Sequence, residues 1–209
     1  MTRSFTAVLL STALLLGAGA VHAQDQVKGD KDAGKTLIYT CAGCHGVPGY
    51  QNAYPTYHVP RLVGQNEQYI IDALHEYQKG NRKHPTMNAQ AEAMSEQDIA
   101  DIAAYLSSFK QEQKNPGDGS DAPEAAVTCE SCHGKTGVSI AGQYPNLAGQ
   151  HADYIVQVLH EYKDGQRDNA IMKGFTAQLS EDDMEKIAQY FANQETVLDD
   201  LKGHLQGDD

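Results

Sequence analysis

The chain has 209 residues, of which 16 are lysine or arginine and 28 are aspartate or glutamate, so its formal net charge is −12. This acidic balance argues against nucleic acid as a partner, because nucleic-acid binding needs clustered basic residues that neutralise phosphates. The length leaves room for one large domain or two small ones.

The N-terminus has the pattern of a secretory signal peptide. Arg3 precedes an apolar run over residues 7–20, and a small-residue pattern, Val-His-Ala, ends at Ala23. The run is shorter than the roughly 20 residues that a transmembrane helix needs, and no comparable run follows. We therefore predict export to the periplasm, removal of residues 1–23, and a mature chain without a transmembrane segment.

The first motif with chemical content covers residues 41–45, which read Cys-Ala-Gly-Cys-His. This is the spacing of c-type haem attachment, in which two thiols bind the porphyrin covalently and the adjacent imidazole ligates the iron. The alternatives are a thioredoxin-like redox pair, a zinc site and a disulfide. A redox pair normally accompanies a βαβ pattern, which this sequence lacks, and a zinc site does not need a histidine directly after the second cysteine.

Residues downstream of this motif have helical rather than strand periodicity. Residues 70–77 place their apolar side chains on one face of a helix, and Ser95 followed by Asp98 matches the capping pattern that opens another. No run of alternating apolar and polar residues indicates a strand. The sequence therefore predicts an all-α domain over residues 24–109, followed by a polar linker over 110–122.

Residues 123–209 repeat this domain. Segments 80–95 and 165–180 match at a constant offset of 85, and a second motif, Cys-Glu-Ser-Cys-His, covers 129–133. The first copy has a loop that is three residues longer. Two copies of this size indicate paired domains rather than a solenoid. The two motifs account for all the cysteines of the chain, which are Cys41, Cys44, Cys129 and Cys132.

Each haem iron needs two axial ligands. The motifs supply one histidine to each iron, His45 and His133. Met87 and Met172 pair in the repeat, whereas the other methionines do not, so we predict these two as the second ligands. Bis-histidine ligation through His75 and His160, which also pair, is the alternative. Both of these histidines lie opposite the apolar face of their helix and are interpreted as solvent-facing.

Other residues near these motifs admit two interpretations. Pro60 and Pro145 either present a carbonyl to the ring N–H of a ligating histidine or simply shape their loops. Arg82 and Arg167 either pair with haem propionates or lie at solvated helix ends, and we favour the solvated position. Histidines without a histidine at the matching repeat position are interpreted as surface residues, namely His58, His84, His151 and His204.

The chain resembles the dihaem cytochrome c4 family over essentially its whole mature length. The resemblance rests on both haem motifs, the paired methionines, the Pro-x-Leu-x-Gly-Gln segments at 60–65 and 145–150, and the Gly-x-Arg turns at 80–82 and 165–167. It implies two class I cytochrome c domains in tandem, two covalently attached haem c groups with His/Met ligation, and propionates that meet near the domain interface.

The resemblance also implies a function. It indicates a periplasmic carrier of single electrons, with no substrate chemistry of its own, that works toward a terminal oxidase of the respiratory chain. The expected partners are redox proteins, either a membrane oxidase or reductase complex or a small periplasmic carrier. The main alternative is the cytochrome subunit of a flavocytochrome c sulfide dehydrogenase. An enzyme, such as a dihaem peroxidase or a thiosulfate-oxidising cytochrome, would need an open iron position, and the paired methionines argue against one.

Overall fold

The computed structural model describes residues 27–205. The predicted signal peptide, residues 1–23, lies outside these residues. Within them the chain folds into two helical units that share a short helix at the Cys-x-x-Cys-His motif followed by three longer helices. None of the helices in this part of the chain is long and apolar enough to cross a membrane. The all-α fold of two tandem domains that the sequence predicts is confirmed.

The first copy begins with a helix that crosses its last helix closely. Its elements in chain order are α1 (Lys31–Leu37), α2 (Ala42–His45), β1 (Gln51–Ala53), β2 (Thr56–His58), α3 (Glu67–Gln78), α4 (Pro85–Glu92) and α5 (Glu96–Ser107). α1 crosses α5 at Gly34, where a Cβ atom would lie 2.0 Å from the carbonyl oxygen of Asp101. Ser95 and Asp98 form the predicted capping box at the start of α5.

The second copy repeats the last four helices of the first, whereas a short 3₁₀ helix (Glu124–Ala126) precedes them in place of α1. Its elements are α6 (Glu130–His133), α7 (Ala152–Lys163), α8 (Ala170–Thr176) and α9 (Glu181–Ala192), and a short helix, α10 (Lys202–Leu205), follows them. Ser180 and Asp183 form the capping box of α9, as the repeat predicts. Each copy buries its own apolar core, with Ile70 of α3 in the first and Ile155 of α7 in the second.

The hairpin β1–β2 departs from the strand-free fold that the sequence predicts. Its strands are antiparallel, with Gln51 opposite His58, and they form the longer loop of the first copy. Each strand has only 3 residues, which is too short to produce a readable alternation of polar and apolar side chains. Tyr57 is buried, with its ring 6.2 Å from that of Tyr154 on α7. The hairpin thus contacts the second copy.

A buried polar network joins the two copies, and the repeated segments 60–65 and 145–150 form it. The side-chain amide of Gln65 donates to the carbonyl of Asn146 at 3.0 Å and accepts from its N–H at 2.8 Å. The amide of Gln150 makes the matching two bonds with the backbone of Arg61, each at 3.0 Å. Because these bonds satisfy buried polar groups in reciprocal pairs, they specify how the two copies sit together.

A pair of histidines lies at the edge of this interface rather than on the free surface predicted for them. The rings of His58 and His151 stack with their centroids 4.8 Å apart, and Nδ1 of His58 lies 2.7 Å from a carboxylate oxygen of Asp153. Burial lowers the pKa of His151; the charges of Arg61 and His58 add to this shift, and Asp200 and Asp153 oppose it.

We expect the interface to weaken in mild acid. His151 takes up a proton less readily in the folded protein than in the unfolded chain. The contribution of the neutral ring to the free energy of unfolding is therefore complete above the ordinary histidine pKa and is lost as the pH falls below it. Urea unfolding of the holoprotein between about pH 7 and pH 5 measures the loss. The variant His151→Gln should lose less stability than the parent over this range, and equal losses in the two proteins would contradict the assignment.

Candidate haem sites

Each Cys-x-x-Cys-His motif occupies a single helical turn. The N–H of His45 donates to the carbonyl of Cys41 at 2.9 Å, and His133 makes the same bond to Cys129 at 2.9 Å. This turn holds two thiols and an imidazole close together on each copy. No disulfide joins the four cysteines, which lie within residues 27–205, so the disulfide alternative does not describe the structure. Burial raises the pKa of Cys41 and of Cys129.

The ring of each motif histidine is held by a proline carbonyl. Nδ1 of His45 lies 2.9 Å from the carbonyl oxygen of Pro60, and Nδ1 of His133 lies 3.0 Å from that of Pro145. A carbonyl can only accept, so Nδ1 carries the proton and donates it. In both copies the proline thus presents its carbonyl to the ring N–H of the motif histidine, which is the first of the two interpretations given above.

The imidazoles suit a metal for a second reason, which is their protonation state. Burial lowers the pKa of both His45 and His133, and the proline carbonyls oppose this shift only in part. Both rings are therefore neutral near pH 7, with the proton on Nδ1 and the lone pair on Nε2. A neutral imidazole oriented through its other nitrogen is the usual form of a histidine that ligates a metal. These two residues thus fit the iron of haem c.

The paired methionines lie on corresponding short helices, α4 and α8. Met87 packs against the core of the first copy, as Cys41 does, and Met172 packs against the core of the second, as Cys129 does. Each methionine and the first cysteine of its own motif therefore border the same apolar cluster. The histidine and methionine predicted for each haem therefore lie in the same copy. Met184, one of the unpaired methionines, is instead fully buried in the second core.

The alternative histidine ligands face other partners. Nε2 of His75 lies 2.9 Å from a carboxylate oxygen of Glu96, and Nε2 of His160 lies 3.0 Å from one of Glu181. In both copies the carboxylate belongs to the first residue of the second helix further along the chain, α5 or α9. Both histidines are partly exposed and engaged away from the core, which is consistent with their predicted outward orientation.

Sequence reasoning missed the residues that cap the two methionine helices. Nδ1 of His84 accepts from the N–H of Met87 at 3.3 Å, and the side chain of Asn169 accepts from the N–H of Met172 at 3.0 Å. His84 is thus not a plain surface residue. The signal was present in the repeat, because His84 and Asn169 occupy the same position and each can accept a bond from a helix N-terminus.

We expect Asn169→Ala to destabilise the protein by about 1 kcal/mol through loss of this cap, and to loosen Met172 as well. Ser180→Ala is the matched control, because it removes the cap of α9, which carries no predicted ligand. Both variants should unfold at lower denaturant concentration. Only Asn169→Ala should weaken the sulfur-to-iron charge-transfer absorption on mild warming. If the absorption changes equally in the two variants, the cap at Asn169 does not position Met172.

The paired arginines are buried at the domain interface, contrary to the solvated positions that we favoured from sequence. Arg82 and Arg167 are each 4% exposed and lie opposite one another in an antiparallel bridge. Nε of Arg82 donates to Glu76, and Nε of Arg167 donates to Glu161 at 2.5 Å. Each guanidinium also bonds a tyrosine hydroxyl of its own copy and lies over tyrosine rings, which are those of Tyr69, Tyr77, Tyr154 and Tyr162.

One donor in this cluster has no partner. Nη1 of Arg167 is buried and makes no hydrogen bond within residues 27–205. Buried polar atoms of native proteins are nearly always bonded, so this N–H is suited to an additional acceptor. A carboxylate matches a guanidinium in charge and geometry, and haem c carries two propionate carboxylates. The residue therefore fits the first of the two interpretations, in which the arginines pair with haem propionates.

Comparisons with known proteins agree with this geometry. A family model described as "Cytochrome c" matches residues 32–110, and one described as "Cytochrome C oxidase, cbb3-type, subunit III" matches residues 120–191. Together they cover both copies of the repeat. Two cytochrome c domains with two Cys-x-x-Cys-His motifs indicate two covalently bound haem c groups, as the sequence predicts.

Full-length relatives match the chain as a whole. Cytochrome c4 of Pseudomonas aeruginosa is 34% identical over 88% of this chain and 96% of its own length. A thiosulfate dehydrogenase electron acceptor of Stutzerimonas stutzeri is 28% identical over 87% of this chain and 91% of its own. The crystal structure of reduced recombinant cytochrome c4 from Pseudomonas stutzeri superposes with a TM-score of 0.64 at 31% identity, covering 80% of this chain and all of that one. The chain thus belongs to the cytochrome c4 family of dihaem electron-transfer cytochromes.

Proposed function

We propose that this protein is a periplasmic carrier of single electrons and not an enzyme. His45 and Met87 would ligate the iron of one haem, and His133 and Met172 that of the other, with Cys41, Cys44, Cys129 and Cys132 forming the covalent links. Each haem supplies a one-electron iron couple when bound. The observation that carries the proposal is the repetition, in both copies, of a histidine oriented by a proline carbonyl and a methionine on a capped helix.

Protein ligands on both sides of the iron favour a carrier. With a histidine and a methionine both bound to it, each iron would offer a substrate no place to bind, whereas electron transfer needs none. Thioether ligation and burial of the motif histidines also favour the reduced iron relative to bis-histidine ligation. The domain limits that go with this proposal are 24–109 and 123–209, joined by the linker 110–122.

Export supports the cellular location. The signal-peptide pattern of residues 1–23 directs the chain across the inner membrane, and haem attachment to Cys-x-x-Cys-His motifs in bacteria takes place there. For the electron acceptor we propose a terminal oxidase of the respiratory chain. The net charge of −12 favours a partner with a basic docking patch, because complementary charge speeds the encounter of two proteins.

A second candidate concerns the electron donor. One relative reported above is named as a thiosulfate dehydrogenase electron acceptor, and its similarity extends over most of both chains. This protein would then receive electrons that another protein removes from thiosulfate. A further alternative is that the protein is the cytochrome subunit of a flavocytochrome c sulfide dehydrogenase. Stable co-purification with a flavoprotein would distinguish this subunit from a free carrier.

Stopped-flow absorption of the holoprotein distinguishes these possibilities. Reduced protein is mixed with membranes that contain a terminal oxidase, and oxidised protein with thiosulfate alone or together with a thiosulfate dehydrogenase. We expect rapid oxidation by the membranes, slowed by added salt, and no reaction with thiosulfate alone. Reduction only when the dehydrogenase is present would identify the donor. Turnover of thiosulfate or peroxide by the isolated protein would overturn the carrier proposal.

A further inference from the structure

A segment that follows the second copy packs against both copies. After α9, residues 197–205 return along the interface to the first copy, and we name them the C-terminal clasp. Val197 and Leu198 are buried with Ala148 of the second copy. Leu201 is fully buried in the core of the first. The clasp has no counterpart in the repeat, because the chain enters the linker after α5.

The clasp pairs with the backbone of the first copy. Asp199 and Val63 form an antiparallel bridge. The N–H of Asp199 donates to the carbonyl of Val63 at 3.0 Å, and the N–H of Val63 donates to the carbonyl of Asp199 at 3.2 Å. Gly64 permits this approach, because a Cβ atom there would lie 2.3 Å from the carbonyl oxygen of Val197. Its φ of +83° is also one that glycine adopts without strain. The first copy is therefore shaped to receive the clasp.

The clasp also reaches the first haem-attachment motif. The N–H of Leu201 donates to the carbonyl of His45 at 3.0 Å, while the ring of the same histidine is held by Pro60. Both the backbone and the side chain of His45 are thus restrained. Within residues 27–205, no donor bonds the carbonyl of His133, so the second motif lacks the corresponding restraint.

Further contacts anchor the clasp on either side of Leu201. The hydroxyl of Tyr105 on α5 donates to the carbonyl of His204. Nε of Arg61 lies 3.9 Å from a carboxylate oxygen of Asp200, and Arg61 also bonds the backbone of the second copy. The segment is therefore fastened to the first copy over residues 199–204, whereas its first two residues pack on the second copy.

We propose that the C-terminal clasp is a positioning element of the first haem site, which holds His45 and thereby makes axial ligation firmer there than at the second site. This inference rests on the proposed ligation of iron by His45. Partners that orient a metal ligand commonly change metal-site properties by one to two orders of magnitude when they are removed. The two sites repeat each other closely in sequence, so the clasp supplies a physical difference between them.

Two truncated holoproteins test the proposal. One ends at Thr196 and lacks the clasp, and the matched control ends at Leu205 and keeps it. Imidazole is titrated against each oxidised protein, and binding at each site is followed through paramagnetic haem-methyl NMR signals. The variant Met87→Ala identifies the first-site signals by their loss. Since the second site lies in the same molecule, it serves as an internal control.

We expect imidazole to bind the first site roughly tenfold more tightly in the protein that ends at Thr196, with the second site and the control protein unchanged. Equal changes at both sites, or no change at either, would overturn the proposal. If the shorter chain does not accumulate, Leu201→Ala carries the same expectation for the first site alone.

Failure of the ligand assignment can be told apart from failure of the clasp. If the full-length protein lacks the signals of two His/Met haems, the proposed function fails. Hydrogen exchange of the Leu201 amide then tests the clasp separately, because its bond to His45 needs no haem ligand. Slow exchange supports the clasp, and exchange at the rate of an unprotected amide overturns it.

Discussion

Replacing Met87 with alanine is expected to leave both haems covalently attached but to open the first iron to imidazole and cyanide. Alanine cannot ligate iron, whereas the thiol links and His45 are unaffected by the change. The sulfur-to-iron charge-transfer absorption should fall to about half, because one of two thioether ligands is lost. The reduction potential of that site should fall by on the order of 0.1 V, within the roughly 0.8 V range that axial ligands span.

Met172→Ala should have the same effect at the second site. Met184→Leu is the control, because Met184 is buried in the core and its replacement keeps the apolar volume. The control should retain the full absorption and its inertness to added ligands. If either ligand variant keeps both properties, that methionine is not an axial ligand and the assignment for its site is wrong.

Replacing Arg167 with methionine is expected to lower the free energy of unfolding by about 3 to 5 kcal/mol. The side chains of Arg167 and Glu161 are only 5% and 12% exposed, so removal of the guanidinium leaves a buried carboxylate without its counter-charge. The same side chain bonds Tyr154 and lies over its ring, which adds to the loss. Denaturant unfolding of the oxidised holoprotein measures the change.

The double variant Arg167→Met with Glu161→Gln separates charge from packing. It removes the stranded carboxylate and should recover much of the lost stability. Lys186→Met breaks the exposed ion pair with Asp182 and should change stability little, because solvent screens that pair. A loss in Arg167→Met no larger than in Lys186→Met would contradict the expected contribution of the buried ion pair.

The repeat explains why much of the site could be predicted from sequence. A constant offset separates Met87 and Met172 from the unpaired methionines, and helical spacing places His75 and His160 on an outer face. These arguments need only local pattern and register, which a single chain displays. For Pro60 and Pro145 the sequence left two possible roles. Their contacts with the motif histidines in the structure decided between these roles.

Contacts between the two copies could not be predicted in the same way. Arg82 and Arg167 lie in Gly-x-Arg segments whose composition is that of a solvated turn. Their burial depends on which faces of the two domains meet. The hairpin at residues 51–58 has strands too short to show a period. Residues 197–205 lie beyond the repeat, so register says nothing about them. Long-range packing decides all of these features.

The charge-transfer absorption of the oxidised holoprotein, quantified per haem, tests the central claim most directly. Two thioether-ligated haems per chain are predicted, with Met87 and Met172 each contributing one sulfur. That result would agree with a pair of closed iron sites in an electron carrier. An intensity that corresponds to one thioether-ligated haem, or to none, would mean a histidine-ligated or open iron and would contradict the account.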